Sequence, residues 1–155
     1  QINPMTKYRI LTKQELEELQ PEFIQYLSSN GIDADKWKSI LENDQEEMDT
    51  HIALFSDIVL QKSLEKITYI EHRSATDLKL FHFDKEEAFL IALKSSSIDL
   101  EKLDSLTEEQ LKEIDLFNAN KKYTKTREEE IFDLLNKGCV ISKGALYYQM
   151  KKLVG

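Results

Sequence analysis

Residues 67–93 read ITYIEHRSATDLKLFHFDKEEAFLIAL, and this stretch decides the fold. Three runs rich in β-branched and aromatic residues, ITYIEHR, LKLFHF and AFLIAL, are separated by the polar segments SATD and DKEE. Runs of this length and composition, bounded by turn-forming residues, predict β-strands. The third run is apolar at odd and even positions alike, which is typical of a strand covered on both faces. The stretch therefore predicts a meander of three antiparallel strands.

Helical patterns precede this stretch. Thr12 and Glu15 have the spacing of a capping box, in which each side chain accepts a hydrogen bond from the other residue's backbone N–H. Pro21 lies in the apolar pattern that follows, and it should either kink that helix or start a second one, because proline removes a backbone donor. Asp33 is a suitable N-cap for a short helix. A longer amphipathic helix is predicted over residues 45–66, and we expect its packing to stabilise the sheet.

The chain after the strands is predicted to return to helices. Thr107 and Gln110 form a second capping-box pattern. Ile114 and Leu116 follow at helical spacing, so one helix is predicted through these residues. Residues 118–126 are polar and predict a linker loop.

Two amphipathic helices are predicted to close the chain, over residues 128–137 and 142–153. Residues 138–141 would form the turn between them, and Ser142 is a suitable N-cap for the second helix. The predicted fold class is therefore α+β. It consists of a three-stranded antiparallel meander over about residues 67–93, packed by N-terminal helices and a C-terminal helical hairpin.

The length of 155 residues suits one domain, which we expect over residues 5–155. Gln1 is an unusual natural start, so Met5 is the expected initiator and residues 1–4 are expected to be vector-derived or disordered. Cys139 is the one cysteine, which fits a reducing compartment. No run approaches the ~18 consecutive apolar residues that a membrane span needs. We therefore expect a cytoplasmic protein without a membrane association.

Charge is distributed unevenly along an acidic chain. The formal net charge is −8, which is unsuited to gripping phosphate backbones over the whole surface. Residues 121–155 carry eight basic and four acidic residues, whereas residues 1–120 carry 13 basic and 25 acidic residues. A basic C-terminal segment is thus the one region that favours nucleic acid, although a solvated helix face explains the same balance.

Two histidines in the predicted strands, His72 and His82, are the candidate residues for a metal site or a catalytic site. With a five-residue hairpin loop they would share a sheet face, although separated along the strands, and with a four-residue loop they would lie on opposite faces. A metal site that adds Glu71 or Asp84 is one hypothesis, but ordinary sheet histidines explain the pattern better. His72 with Ser74 lacks an identifiable acid and oxyanion hole. No Gly-rich phosphate loop is present.

The C-terminal helical pair is the most plausible place for a partner to bind. Its spacing is superficially that of a helix-turn-helix, but the early positions of its second helix, SKGA, are poorly suited to reading bases. Aromatic and basic residues on that helix would suit a protein partner better. The candidate partner-binding residues are Lys143, Tyr147, Tyr148, Lys151 and Lys152. The candidate phosphate contacts are Lys121, Lys122, Lys125, Arg127, Lys143, Lys151 and Lys152.

Five segments resemble a known family. They are KYRILT at residues 7–12, FSDIV at 55–59, YIEHRS at 69–74, LFH at 80–82 and TREEEI at 126–131. They look like segments of a family of small uncharacterised bacterial proteins of about this length, a domain of unknown function. The resemblance would cover nearly the whole chain from Met5 and supports one complete protein. It implies no activity and no site residues.

The expected function is a non-enzymatic protein-interaction or regulatory module with an unknown protein partner. No catalytic residue, cofactor or metal ligand is assigned. Nucleic-acid association through the basic C-terminal hairpin is one alternative, and an enzyme with a site around His72 and His82 is the other. The chain is expected to be a monomer or a homodimer, because an exposed edge strand invites pairing unless charged residues blunt it.

Overall fold

The computed structural model describes residues 6–154, and its elements confirm the predicted α+β fold class. Residues 1–4, predicted to be vector-derived or disordered, lie outside the described residues. The described chain divides into two compact units, of which the first ends at Ser63 and the second begins at Leu64. The prediction that residues 5–155 form a single domain stays a prediction.

The helices of the first unit begin where the sequence predicts. Thr12 Oγ1 accepts the backbone N–H of Glu15 at 3.1 Å, and the Glu15 carboxylate accepts the N–H of Thr12 at 2.8 Å, which confirms the capping box. Pro21 lies at the start of a second helix, where its missing N–H has no intrahelical partner to lose. Asp33 caps a third helix by accepting the N–H of Lys36. The bounds are α1 Lys13–Glu18, α2 Gln20–Ser29, α3 Ala34–Asn43 and α4 Gln45–Glu65.

An apolar cluster joins α2 to α3 in the first unit. Leu27, Ile32 and Ile40 are buried together, and Phe23 and Trp37 pack against them. The Phe23 and Trp37 rings meet edge to face with centroids 5.4 Å apart, a geometry that aromatic pairs favour. The apolar faces of α2 and α3 therefore pack into one shared core.

The second unit is built on a sheet of five antiparallel strands, two more than predicted. The three strands of the predicted meander are confirmed, and the two additional strands lie at the two edges in the order β4-β3-β2-β1-β5. The bounds are β1 Tyr69–Arg73, β2 Asp77–Phe83, β3 Glu87–Lys94, β4 Asp115–Lys122 and β5 Val140–Ser142.

The fourth strand replaces a predicted helix end and a predicted loop. The helix that begins after Thr107 is a single turn, α5 Glu108–Leu111, and Leu116 belongs to β4. The loop predicted over residues 118–126 is wrong for its first half, since Asn118 to Lys122 pair with β3. Most β4 side chains are exposed, so the strand shows no apolar alternation, and only its backbone pairing with β3 reveals it.

One face of the sheet, here called the core face, is buried by the chain around it. It carries Leu78 and Leu80 of β2 and Ile91 and Leu93 of β3, all of which are buried. A 3₁₀ helix over Leu100–Lys102, the segment from that helix to β4, and the last helix supply the covering residues. These covering residues are Leu100, Leu103, Leu106, Ile114, Leu146, Tyr147 and Met150.

The C-terminal helices do not form the predicted packed hairpin. They are α6 Arg127–Asn136 and α7 Ala145–Val154, and between them β5 pairs with Tyr69–Glu71 at the edge of β1. The predicted turn over residues 138–141 is therefore partly a strand, and Ser142 is a strand residue and not the N-cap of α7. Helix α7 packs on the core face, whereas α6 lies beside the opposite face, so the sheet separates them.

Candidate functional site

The two strand histidines lie on opposite faces of the sheet. Tyr69 pairs with His82 and Arg73 pairs with Leu78, so four residues form the hairpin loop. Because side chains alternate along a strand, His82 shares the core face with Tyr69, while His72, three positions from Tyr69, points to the other face. The alternative with a four-residue loop is thus confirmed. A single metal or catalytic site that uses both histidines is excluded by this register.

His82 lies in a cluster of aromatic rings on the core face. Its ring stacks on Tyr69 with centroids 4.8 Å apart, and the Phe89 and Tyr147 rings lie at 5.9 Å and 5.3 Å. Its Nδ1 is buried and has no hydrogen-bond partner among the described residues. This histidine therefore contributes to packing in the same way as the aromatic residues around it.

The charge state of His82 follows from the same packing. Burial lowers its pKa, because the protonated ring would lose its hydration. The Asp84 carboxylate acts in the opposite direction, and the Lys151 and Arg127 charges lower the pKa further. The net direction is downward, so the neutral ring is favoured at neutral pH.

Glu71 and Arg73 share the core face and form an ion pair at 2.9 Å. Glu71 is buried, and the Arg73 guanidinium also donates to the backbone carbonyls of Glu101, at 3.3 Å, and Leu103. The pair thus holds the 3₁₀ helix against β1. Ser74, the other polar residue of this cluster, accepts the N–H of Asp77 and closes the hairpin loop.

Two general properties of the described residues bear on function. Within residues 6–154, no three His, Cys, Asp or Glu side chains lie close enough together to hold a metal ion. In that same range, every helix is too short or too polar to cross a membrane.

The five predicted partner-binding residues separate into two groups. Lys143, Tyr148, Lys151 and Lys152 are exposed. Tyr147 is only 4% exposed and belongs to the core that α7 forms with the sheet. Its side chain is therefore part of the core of the fold, and little of it is exposed to a partner.

Three of the seven candidate phosphate contacts are already engaged within the protein. Lys121 pairs with Glu130 at 2.8 Å and Lys125 pairs with Asp133 at 2.7 Å. Arg127 is mostly buried, with 15% of its side chain exposed. The other four contacts are exposed lysines. The basic balance of the C-terminal sequence thus overstates the positive charge that a ligand would meet.

Arg127 connects the first turn of α6 to the chain around the sheet. Its guanidinium donates to the backbone carbonyls of Leu64, Ile67 and Phe83, and it pairs with Glu128 at 3.0 Å. Carbonyls outside regular pairing need a donor when they are buried, and one planar guanidinium can supply several. Arg127 therefore has a structural role.

A cleft of about 450 Å³ lies between α6 and the face of the sheet opposite the core face. Its apolar lining comes from β2, β3 and α6 and includes the side chains of Phe81, Phe83, Leu90 and Leu134. Ala119 of β4 completes this lining. A cleft of this volume with a mostly apolar lining has the size and character of ligand- and peptide-binding sites.

The charged wall of the cleft is formed by residues that bind one another. Besides its pair with Lys121, the Glu130 carboxylate accepts the N–H groups of Thr124, at 2.7 Å, and Lys125, at 3.2 Å. Burial opposes ionisation of Glu130, but the Lys121 ammonium and these two donors outweigh it and hold the pKa of Glu130 below its ordinary value. Lys137, at the mouth of the cleft, has no ion-pair partner among residues 6–154.

The residues that form the cleft, its charged wall and the sheet all lie in the part of the chain that one family model matches. A family model described as a family of unknown function (DUF6495) matches residues 5–155. The chain belongs to this family. The predicted resemblance to a domain of unknown function is thereby confirmed. No curated protein and no solved structure gives a significant match to the chain.

In this DUF6495 chain, sequence patterns alone did not reveal the cleft. Its lining joins strand positions to Leu134, which lies far along the chain, and only the sheet register brings them together. One signal was present, because residues 88–93 are apolar at both parities and so predict cover on both faces. The pairing of Lys121 with Glu130 had no comparable signal, since β4 was not predicted.

Proposed function

We propose that this DUF6495 protein is a non-enzymatic interaction module that binds a segment of a partner protein in the cleft beside α6. One observation carries the proposal. The cleft is apolar and open, while the acids of its wall, Glu130 and Asp133, are already paired with Lys121 and Lys125. Such a site offers apolar surface that a partner can bury, and its acidic groups are already neutralised by the lysines paired with them.

The state of Glu130 supports binding over acid–base chemistry. A general acid or base works best when its pKa lies near the operating pH. The pKa of a catalytic carboxyl group is therefore commonly raised by its surroundings. The pKa of Glu130 is shifted in the opposite direction by its ion pair and backbone donors. It is therefore expected to remain ionised and to orient the loop after β4.

The lining also indicates the chemistry of the segment. An apolar side chain would fit between Phe81, Leu90 and Leu134, where its burial would provide most of the binding energy. Lys137 at the mouth would favour an acidic residue next to that apolar anchor, because its ammonium group forms no ion pair within residues 6–154. The proposed occupant is thus a polypeptide segment with an apolar anchor and a neighbouring carboxylate.

A protein partner is favoured over nucleic acid for two reasons. The chain has a formal net charge of −8, and three of its seven candidate phosphate contacts are engaged in the fold. Binding driven by phosphate contacts needs several free cations acting together. We further propose a cytoplasmic location, which the single cysteine supports.

A comparison of matched variants tests the proposal. Tagged wild-type protein and variants would be used to capture partners from nuclease-treated lysate of the source organism, with quantification by mass spectrometry. Thr124→Trp places a large ring at the exposed mouth of the cleft, and Thr76→Trp places the same ring in the exposed hairpin loop away from it. We expect one stoichiometric protein to be captured by wild type and Thr76→Trp and lost with Thr124→Trp.

Charge reversal refines this result. Lys137→Glu should weaken capture, whereas Lys66→Glu, which changes charge at an exposed position outside the cleft, should not. Equal capture by Thr124→Trp and wild type would contradict binding in the cleft. Loss of capture with Tyr148→Ala alone would assign the contact to the exposed C-terminal surface instead. Material that is captured from untreated lysate but lost from nuclease-treated lysate would favour the nucleic-acid alternative.

A further inference from the structure

The two edges of the sheet differ in how well they are protected against pairing. Strand β5 is three residues long, and short edge strands are a common protection against pairing. Strand β4 is eight residues long, pairs with β3 along its whole length without a bulge, and contains no proline. Among residues 6–154, β3 is the only strand that pairs with it, so its outer edge is open.

The sequence of β4, DLFNANKK, has charges of opposite sign at its two ends and none in its centre. Asp115 stands at the beginning, Lys121 and Lys122 stand at the end, and all three are exposed. Parallel pairing of two such strands would place like charges side by side, whereas antiparallel pairing would place opposite charges together. Two copies of β4 therefore have complementary charges when they pair in the antiparallel direction.

Symmetry restricts the register of such a pair. A twofold axis perpendicular to a sheet returns every side chain to the same face, so a strand that pairs with its own copy must be centred on a residue. With the axis at Asn118, Asp115 lies opposite Lys121 of the second copy, and Phe117 lies opposite Ala119. A centre at Phe117 or Ala119 leaves Asp115 without an opposing lysine from the other strand.

The exposure of Phe117 gives independent support for association through this edge. Its side chain is 51% exposed, so a strand paired at the open edge would cover part of it. In the register centred on Asn118, each Phe117 ring lies across from an Ala119 methyl group of the other copy. Contact between the ring and the methyl group would remove apolar surface from water, which favours association.

We propose that two copies of this chain associate through antiparallel pairing of their β4 edges, centred on Asn118, to form one continuous ten-stranded sheet. Each copy contributes its five strands. The Lys121 ammonium, which already binds Glu130, would also meet Asp115 of the second copy. The inference does not depend on the proposed function, because it concerns the outer edge of β4 and its readout is molecular mass.

Sedimentation velocity of the full chain over a range of concentrations provides the first test. We expect a concentration-dependent species with twice the mass of the 18.1 kDa chain. Asp115→Lys and Lys121→Glu, tested singly, should each raise the dissociation constant about tenfold, because like charges would then face each other across the axis. The two substitutions combined should restore association. Lys85→Glu, in the exposed turn before β3, is the control for a change of net charge.

Cysteine cross-linking tests the register itself, in a Cys139→Ala background. The Cα atoms of two directly opposed residues lie about 5 Å apart, which is within reach of a disulfide. Asn118→Cys should therefore form a covalent dimer on mild oxidation, whereas Ala119→Cys, whose copies would be diagonal neighbours about 8 Å apart, should not. Thermal melts of each variant would show that it is folded.

Three results would overturn the proposal. The first is a wild-type chain that keeps the single-chain mass at every concentration. The second is a dimer whose dissociation constant is unchanged by Asp115→Lys. The third is cross-linking through Ala119→Cys but not through Asn118→Cys, because that pattern requires a different register.

Discussion

Gly144 lies directly against the ring of Tyr69. A Cβ atom added at Gly144 would come within 2.6 Å of both Cγ and Cδ2 of that ring, closer than real Cβ contacts occur. Gly144 also has a φ of +83°, in the left-handed region that favours glycine. Tyr69 begins β1 and Gly144 immediately precedes α7, so this contact helps to set where the last helix meets the sheet.

Gly144→Ala should therefore destabilise the protein more than Gly138→Ala does. Gly138 has a φ of +95° but no atom within 4 Å of an added Cβ, so its substitution carries only the backbone cost of about 1–2 kcal/mol. Gly144→Ala adds the displacement of the Tyr69 ring, for a total of about 2–4 kcal/mol. Urea unfolding of both variants measures the difference, and equal losses would contradict the role of Tyr69.

Arg127→Ala should lower the free energy of unfolding by about 2–4 kcal/mol, because it removes a hydrogen-bond donor from each of three backbone carbonyls and one partner of an ion pair. Lys125→Ala breaks an ion pair on the same segment but at an exposed position, where little stability is expected to be lost. Thermal and urea unfolding would compare the two. A loss for Lys125→Ala as large as that for Arg127→Ala would refute the structural role of Arg127.

His82→Phe should make stability less dependent on pH. In the unfolded chain His82 has an ordinary pKa of about 6.5 and takes up a proton below it, whereas burial lowers the pKa in the folded state. The unfolded state thus binds more protons as the pH falls through about 6.5, and wild type loses stability towards acid. The stability of His82→Phe relative to wild type should rise between about pH 8 and pH 5.

His72→Gln is the control for this measurement, because His72 is exposed on the other face of the sheet. Its pH–stability curve, recorded over the same pH range, measures the effect of replacing a strand histidine that lies outside the aromatic cluster. A constant difference between His82→Phe and wild type at every pH would mean that His82 does not contribute to the acid sensitivity.

Cys139 should react slowly with thiol reagents in the folded protein. Its side chain is buried, and burial raises the pKa of the thiol, while Lys79 and Lys137 act in the opposite direction. Because the thiolate is the reactive form, labelling of the native chain should be slower than labelling of the urea-unfolded chain by about tenfold or more. Equal rates would show that residues near Cys139 open readily.

Helices and strands that carry a clear local pattern, such as a capping box or a strand-like run, could be predicted from the sequence. The capping box of Thr12 with Glu15 marks the start of α1, and the runs of β-branched and aromatic residues in residues 67–93 mark β1 to β3. Strands β4 and β5 have no such signal, because their side chains are largely exposed and only backbone pairing with a neighbour makes them strands. Both edges of the sheet are therefore without a signal in the sequence.

The candidate site was less predictable than the fold for a related reason. Phe81, Leu90 and Leu134 line one cleft only because two strand registers and one helix position bring them together. The histidines show the same limit, since one residue of loop length decides whether His72 and His82 share a face. The relation of the two histidines follows only from the register of β1 with β2.

The pairing of β5 with β1 also has a consequence for the order in which the protein is made. Tyr69 pairs with Ser142, near the end of the chain, so the edge of β1 stays open while the ribosome synthesises the residues between them. A growing chain emerges at about 5–20 residues per second, which leaves this edge exposed for several seconds. A stop codon before residue 140 would make that exposure permanent, and we expect such truncated chains to be preferred targets of chaperones and proteases.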